Sequence, residues 1–204
     1  QRQGPAMVQL RLGAGNLTFD ALWIPEFRPN VFPLEQSRPG VAILPTAYRS
    51  SAGQFALRVD SSGGDVDWSL SWFQGIDRNR DFTGRPAPRG AIAAVQQTFP
   101  DISVLGADMA GTIGALGWRI EGAYTHVRGA DSIYVKNDNL WIVGGGDVGL
   151  GDGWNLNLQY SLRVIFDHVD PRLVADPVVR SIATVSAAVS NQLDPVQNGF
   201  TARI

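Results

Sequence analysis

The side chains equipped for chemistry are few in this chain, and their spacing decides what they can do. Asp108 and Glu121 lie on either side of one short turn and would face each other across a hairpin. Carboxylates held that close form a general acid/base pair, but in surroundings rich in arginine an ion-paired lining is the expectation. Asp77-Arg78-Asn79-Arg80-Asp81 offers oxygen ligands for a cation, although its alternating signs point to a solvated charge cluster. His126 and His168 stand apart, without cysteine or a spaced set of carboxylates. They are expected at a solvated rim rather than on a metal. Cysteine is absent from all 204 residues, which removes disulfides, thiolate ligands and a Cys nucleophile. No Ser-His-Asp set, phosphate loop or nucleotide motif is present. The expectation is a protein that is not an enzyme and holds neither cofactor nor metal.

The segments carrying these residues alternate. From Trp154 to Phe166, Leu156, Leu158, Tyr160, Leu162 and Val164 take every second place, and Asn155, Asn157, Gln159, Ser161 and Arg163 stand between them. A period of two gives a strand one apolar face and one polar face, whereas a helix would mix the two sets. Only Ile165 breaks the rule. The same rhythm recurs from Val8 to Leu12, Leu17 to Trp23, Phe55 to Val59, Val66 to Trp72, Leu105 to Ile113, Trp118 to Tyr124, Leu140 to Leu150 and Phe200 to Ile204. Gly-containing tight turns join four pairs of these nine strands, and longer loops join the pairs to one another. The long loops run from Arg28 to Gly53, Gly75 to Asp101, Arg128 to Asp138 and Asp167 to Val196. All short connections must then lie at one end of the sheet. One loop predicts a helix, with Asp176 as N-cap, Pro177 in the first turn, and Val178, Ile182, Val185 and Val189 at helical spacing. Gly144-Gly145-Gly146-Asp147 through Gly151-Asp152-Gly153 has the composition of a calcium-binding β-roll repeat. It occurs once, so a flexible strand and its turn are expected.

A soluble sandwich, a soluble ligand barrel and an outer-membrane barrel all use such alternation. Length separates them, because strands of about ten residues match an apolar band about 25 Å tall, and sandwich strands are nearer five or six. Short turns at one end and long loops at the other fit the two sides of an outer membrane. Trp68, Trp118 and Trp154 follow tight turns, and Trp23 and Phe166 lie near loop ends, where interfacial girdles belong. The apolar face carries almost no charge. The polar face is expected to line a wet lumen with Arg11, Asp20, Arg58, Asp60, Asp67, Asp108, Arg119, Glu121, Asp147, Gln159, Arg163 and Arg203. The net charge of −2 and pI near 5.6 argue against a nucleic-acid partner. No apolar run reaches the roughly 18 residues a spanning helix needs. The sequence has no initiator Met or signal peptide and stops at Ile204 within the alternation. One β-barrel segment over residues 1–204, part of a larger barrel, is therefore expected.

Two hairpins add a resemblance. Ile102-Ser103-Val104-Leu105-Gly106-Ala107-Asp108-Met109, leading to Gly117-Trp118-Arg119-Ile120-Glu121-Gly122-Ala123-Tyr124, is similar to hairpins of large proteobacterial outer-membrane barrels. So is Gly151-Asp152-Gly153-Trp154-Asn155-Leu156-Asn157-Leu158-Gln159-Tyr160. The nearest group is the porin-like relatives of alginate-export barrels. The resemblance implies a bacterial outer-membrane location, lipid contacts, and passive or facilitated transport of a small polar solute. It transfers no substrate. Fold class is therefore expected to be all-β, an antiparallel up-and-down meander forming part of a transmembrane β-barrel, with porin-like passage as the leading function. The alternatives are an outer-membrane barrel anchoring functional loops, as adhesin or enzyme, and a soluble secreted all-β binding module.

Overall fold

The structure, a computed structural model, describes residues 6–30, 42–44, 53–86 and 92–204. Its strands are β1 (Val8–Ala14), β2 (Leu17–Ile24), β3 (Ala42–Leu44), β4 (Gln54–Ser61), β5 (Val66–Ile76), β6 (Asp81–Pro86) and β7 (Ile92–Thr98). They continue as β8 (Asp101–Ile113), β9 (Leu116–Val127), β10 (Asn139–Gly151), β11 (Trp154–Ile165) and β12 (Val196–Arg203). A 3-10 turn at Pro171–Leu173 precedes one helix, α1 (Pro177–Val189).

Nine strands form a single antiparallel sheet in the order β1-β2-β4-β5-β8-β9-β10-β11-β12. These are the nine segments whose alternation marks them in the sequence. Hydrogen bonding follows chain order throughout, so the sheet is a meander, with β1 and β12 at its edges. The hairpin turns share one end. At the β10–β11 turn, Asp152 and Gly153 both take positive φ, as a type I′ turn requires. The strands are long: β9 and β11 have 12 residues each, β8 and β10 have 13. Twelve residues at about 3.3 Å rise and about 40° tilt climb about 30 Å, enough for an apolar band about 25 Å tall.

At the long-loop end the connections are more ordered than loops. The stretch between β5 and β8 forms the antiparallel pair β6–β7, and β3 joins β7 in parallel. The sequence gives little sign of these strands, because Gly84 and Pro86 interrupt β6 and Gln96-Gln97 interrupts the apolar alternation of β7. Tertiary contact decides instead. α1 packs on β6 and buries Ile182, Ala183 and Ser186. The helix starts where its sequence predicts: the Asp176 carboxylate accepts from the Val178 and Val179 amides at 2.8 and 3.0 Å, and Pro177 opens the first turn. Residues 31–41 and 45–52 of the first long loop lie outside the described residues.

This assembly, the cap, and the adjoining strand ends contain the buried apolar side chains. Phe27, Ile76, Phe82, Ala94, Val127, Ile165, Ile182 and Ala183 all lie there. Ile165 therefore has a reason to break the alternation. It points to the polar side of β11, but at the level where the cap meets the sheet, and is buried. Elsewhere the sheet, here the wall, has no second layer: among the described elements none packs against its faces away from the loop end. Leu10, Leu57, Leu105 and Ile120 are more than half exposed on one face, and Leu158 is 39% exposed.

Candidate functional site

Register settles which residues share a face. Arg11 lies opposite Asp20, Asp20 opposite Arg58, and Arg58 opposite Ser71. That row continues through Gly106, Ala123, Trp141 and Arg163. The next row toward the tight turns runs Thr18, Asp60, Ser69, Asp108, Glu121, Val143 and Ser161. Asp67, Arg119 and Gln159 belong to the row beyond, and Asp147 and Arg203 flank Asn157 in the last one. All twelve residues expected to line a lumen thus stand on one face. The opposite face carries every leucine of the nine strands except Leu22, with Met109, Ile120 and Phe200, and with Trp68, Trp118 and Trp154 near the tight turns and Trp23, Tyr124 and Phe166 near the loops.

The polar face is organised by ion pairs. Asp20 takes a two-pronged contact from Arg11, Nε to Oδ1 at 2.8 Å and Nη2 to Oδ2 at 3.0 Å, and a third bond from Gln9 at 2.6 Å. Arg58 is 2.7 Å from Asp60 and 3.5 Å from Asp108, and Ser69 donates to Asp108. Arg119 is 3.5 Å from Glu121. Asp20 is only 7% exposed, but the other pairs are exposed, and such pairs stabilise a fold by about 0 to 1 kcal/mol each. Their consequence is a charged but internally compensated surface, not a tighter sheet. Asp108 and Glu121 are directly opposite each other, yet both are reached by arginines. They belong to an ion-paired surface, not to an isolated acid/base pair. Asp67 accepts the Gly63 amide at 3.0 Å and closes its turn. Arg163 does something the sequence does not show: it bonds Asn139 at 3.1 Å and the Ser190 and Asn191 carbonyls at 3.3 and 3.0 Å. A cation there suits the negative end of α1 and ties the cap to the polar face of the wall.

Beneath the cap the expected solvated cluster is overturned. Asp81 is 0% exposed, and Lys136, whose side chain is 5% exposed, reaches into the same turn. Lys136 Nζ lies 2.9 Å from Asp77 Oδ2, 2.9 Å from the Asn79 carbonyl and 3.5 Å from Asp81 Oδ1. Burial raises Asp81 to about 6 despite the nearby lysine. Arg80 bonds Gln97 and the Asn30 carbonyl, and burial lowers its pKa. Asp81 is inside and Asp77 mostly so, while Arg78 stays exposed, because the lone lysine of the chain is available to pair with both carboxylates from a loop 55 residues away from Asp81 in sequence. Gln192 exchanges two bonds with the Asn137 backbone, and Ser186 bridges the Phe82 amide and the Tyr134 carbonyl.

The histidines sit at the rim. His126 is exposed and its Nδ1 lies 2.8 Å from Asp138, which also accepts from the Val127 amide at 2.7 Å and Tyr124 hydroxyl at 2.8 Å. Burial raises the pKa of Asp138, but these bonds outweigh it and hold the carboxyl below its usual value. His168 stands 3.2 Å from the Gln192 carbonyl. No group of three or more metal-binding side chains occurs among the described residues. The glycine run at 144–146 is regular β10, and side chains at Gly145 and Gly146 would collide with the Leu158 and Gly117 carbonyls at 2.7 and 2.8 Å.

Trp141 is the residue the sequence reading passes over. Leu140-Trp141-Ile142-Val143 is apolar at every position, so alternation is lost there. Counting parity from Leu140, opposite Val164 on the apolar face of β11, places Trp141 among the charges. Searches of protein-family models, curated proteins and solved structures found no match to this chain.

Proposed function

We propose that the wall is part of a bacterial outer-membrane β-barrel through which small polar solutes pass. One observation carries the reading: a nine-stranded sheet leaves its largest apolar side chains uncovered on one face and collects twelve polar or charged residues on the other. Soluble monomers rarely expose apolar patches beyond a few hundred Å². Hydrocarbon would cover the apolar face, and the two aromatic bands would lie at its borders. An arginine on that face near the midplane costs about 2 to 4 kcal/mol, consistent with its lack of charge. The other face then borders water, and its ion pairs set the field there. The cap, tied by Arg163 to that same face, narrows one mouth. No helix among the described residues is long and apolar enough to cross a membrane.

Closure follows from backbone chemistry. In lipid an unpaired strand edge is not tolerated, so the free edges of β1 and β12 need partners. Nine is odd, and both edge strands run from the loop end to the turn end. They would meet each other only in parallel; an all-antiparallel barrel needs an odd number of strands between them.

The packed cap favours a second reading, in which the barrel anchors an external binding or catalytic element. Conductance of the full chain in planar bilayers separates the two. Stable ohmic steps support passage, and a silent membrane with protein inserted overturns it in favour of the anchor.

A further inference from the structure

On the polar face a shallow depression of about 290 Å³ lies across β8 and β9. Gly106 and Ala123 form its floor, Ser71 and Asp108 one wall, Trp141 and Val143 the other, with Glu121 at one end. The floor is held low by necessity: a Cβ on Gly106 would sit 2.6 Å from Ser71 Oγ. Three features are unusual together. Trp141 is 53% exposed on the face that carries the charges, where a large apolar ring gains nothing from water. Asp108 and Glu121 are cross-strand partners, an arrangement that is destabilising for like charges. Their arginines reach them from outside the depression at 3.5 Å, and Arg58 has Asp60 as its nearer partner at 2.7 Å. Within the depression both lining charges are negative and no arginine takes part. An anion would meet two carboxylates there, whereas a cation meets both carboxylates and the face of an indole ring.

We propose that this depression binds a small organic cation, an alkylammonium or guanidinium group, between the Trp141 ring and the Asp108 and Glu121 carboxylates. The cation attracts the negative face of the indole and relieves the repulsion between the two carboxylates. The inference rests on reading this face as water-lined, and it names a class of solute that would pause there.

The test is calorimetric titration of the refolded full chain in detergent with choline, its uncharged isostere 3,3-dimethylbutan-1-ol, and 3,3-dimethylbutanoate. Choline is expected to bind, the alcohol at least about tenfold more weakly, and the carboxylate not at all. Trp141→Ala should weaken choline about five- to tenfold, the order of a cation–π contact. Trp141→Phe, which keeps a ring and the fold, should lose less, and Glu121→Gln should lose about threefold or more. Trp154→Phe, on the other face, should change nothing. Equal affinity for choline and the alcohol, or choline binding indifferent to Trp141→Ala and Glu121→Gln, overturns the site. So does an absence of choline binding, and if conductance persists the passage survives. Choline binding to a chain that does not conduct keeps the site and overturns the passage.

Discussion

The wall and the cap are stabilised in opposite ways. The wall has backbone ladders, long strands and almost no buried side chain away from its loop end. Most of its charges are exposed, and Arg11, Arg58 and Arg119 pair with carboxylates along one face. In the cap, Lys136, Asp77 and Asp81 are paired inside, and Phe82, Ile182 and Ala183 give a small dry centre. The wall therefore depends on what surrounds it, and the cap on contacts between distant parts of its own chain. A change that harms one should leave the other nearly untouched.

Lys136→Met should have the largest effect. Removing one partner from a buried ion pair costs about 3 to 5 kcal/mol because the remaining charge stays buried. Hydrogen exchange should speed up at the Phe82 and Asn137 amides and stay unchanged in the middle of β9 and β11. Uniform loss across both regions would break the comparison.

Leu158→Arg should come next. On the apolar face near the strand centre it should cost about 2 to 4 kcal/mol for folding into lipid, while Gln159→Arg should be tolerated. Refolding yields into liposomes read this, with cap exchange unaffected once the protein has folded.

pH gives a third test. Asp81 titrates at about 6 in the folded chain against an ordinary value of 3.8, so the folded state binds more protons between these values. Asp81 therefore contributes most below about pH 4, and that contribution is lost as pH rises to about 6, on the order of 3 kcal/mol at most. Asp138, whose carboxyl is lowered, acts in the other sense and loses its contribution at acid pH. The comparison of wild type with Asp81→Asn isolates the first effect. The variant should gain on the wild type in cap stability from pH 4 to pH 7, and a constant difference would contradict the assignment. Asp176→Ala should have the smallest effect, about 1 kcal/mol, confined to α1 exchange.

The same contrast explains what the sequence discloses. Alternation is local, so Trp154 to Phe166 reveals both its element and its two faces, and the antiparallel meander follows from turn lengths. Helix α1 was legible because Asp176 and Pro177 mark its start within a few residues. The buried cluster was not, because nothing near Asp77 or Asp81 announces that Lys136 will arrive from another loop. Arg163 reads as lining from its parity, and its bonds to the end of α1 depend on a segment folded back from beyond β11. Trp141 was recoverable only by carrying parity through an apolar run. Whether the polar face encloses water was not legible either, since periodicity distinguishes two faces without naming what touches each.

That question has a direct measurement, and a chain without cysteine suits it. Leu158→Cys and Gln159→Cys, each carrying a nitroxide label in liposomes, report which collides with oxygen dissolved in hydrocarbon and which with a water-soluble nickel chelate. The account predicts oxygen at 158 and nickel at 159, with the same alternation at Ile120 and Glu121. Equal exposure of both sites to nickel, or the reverse pattern, would contradict it.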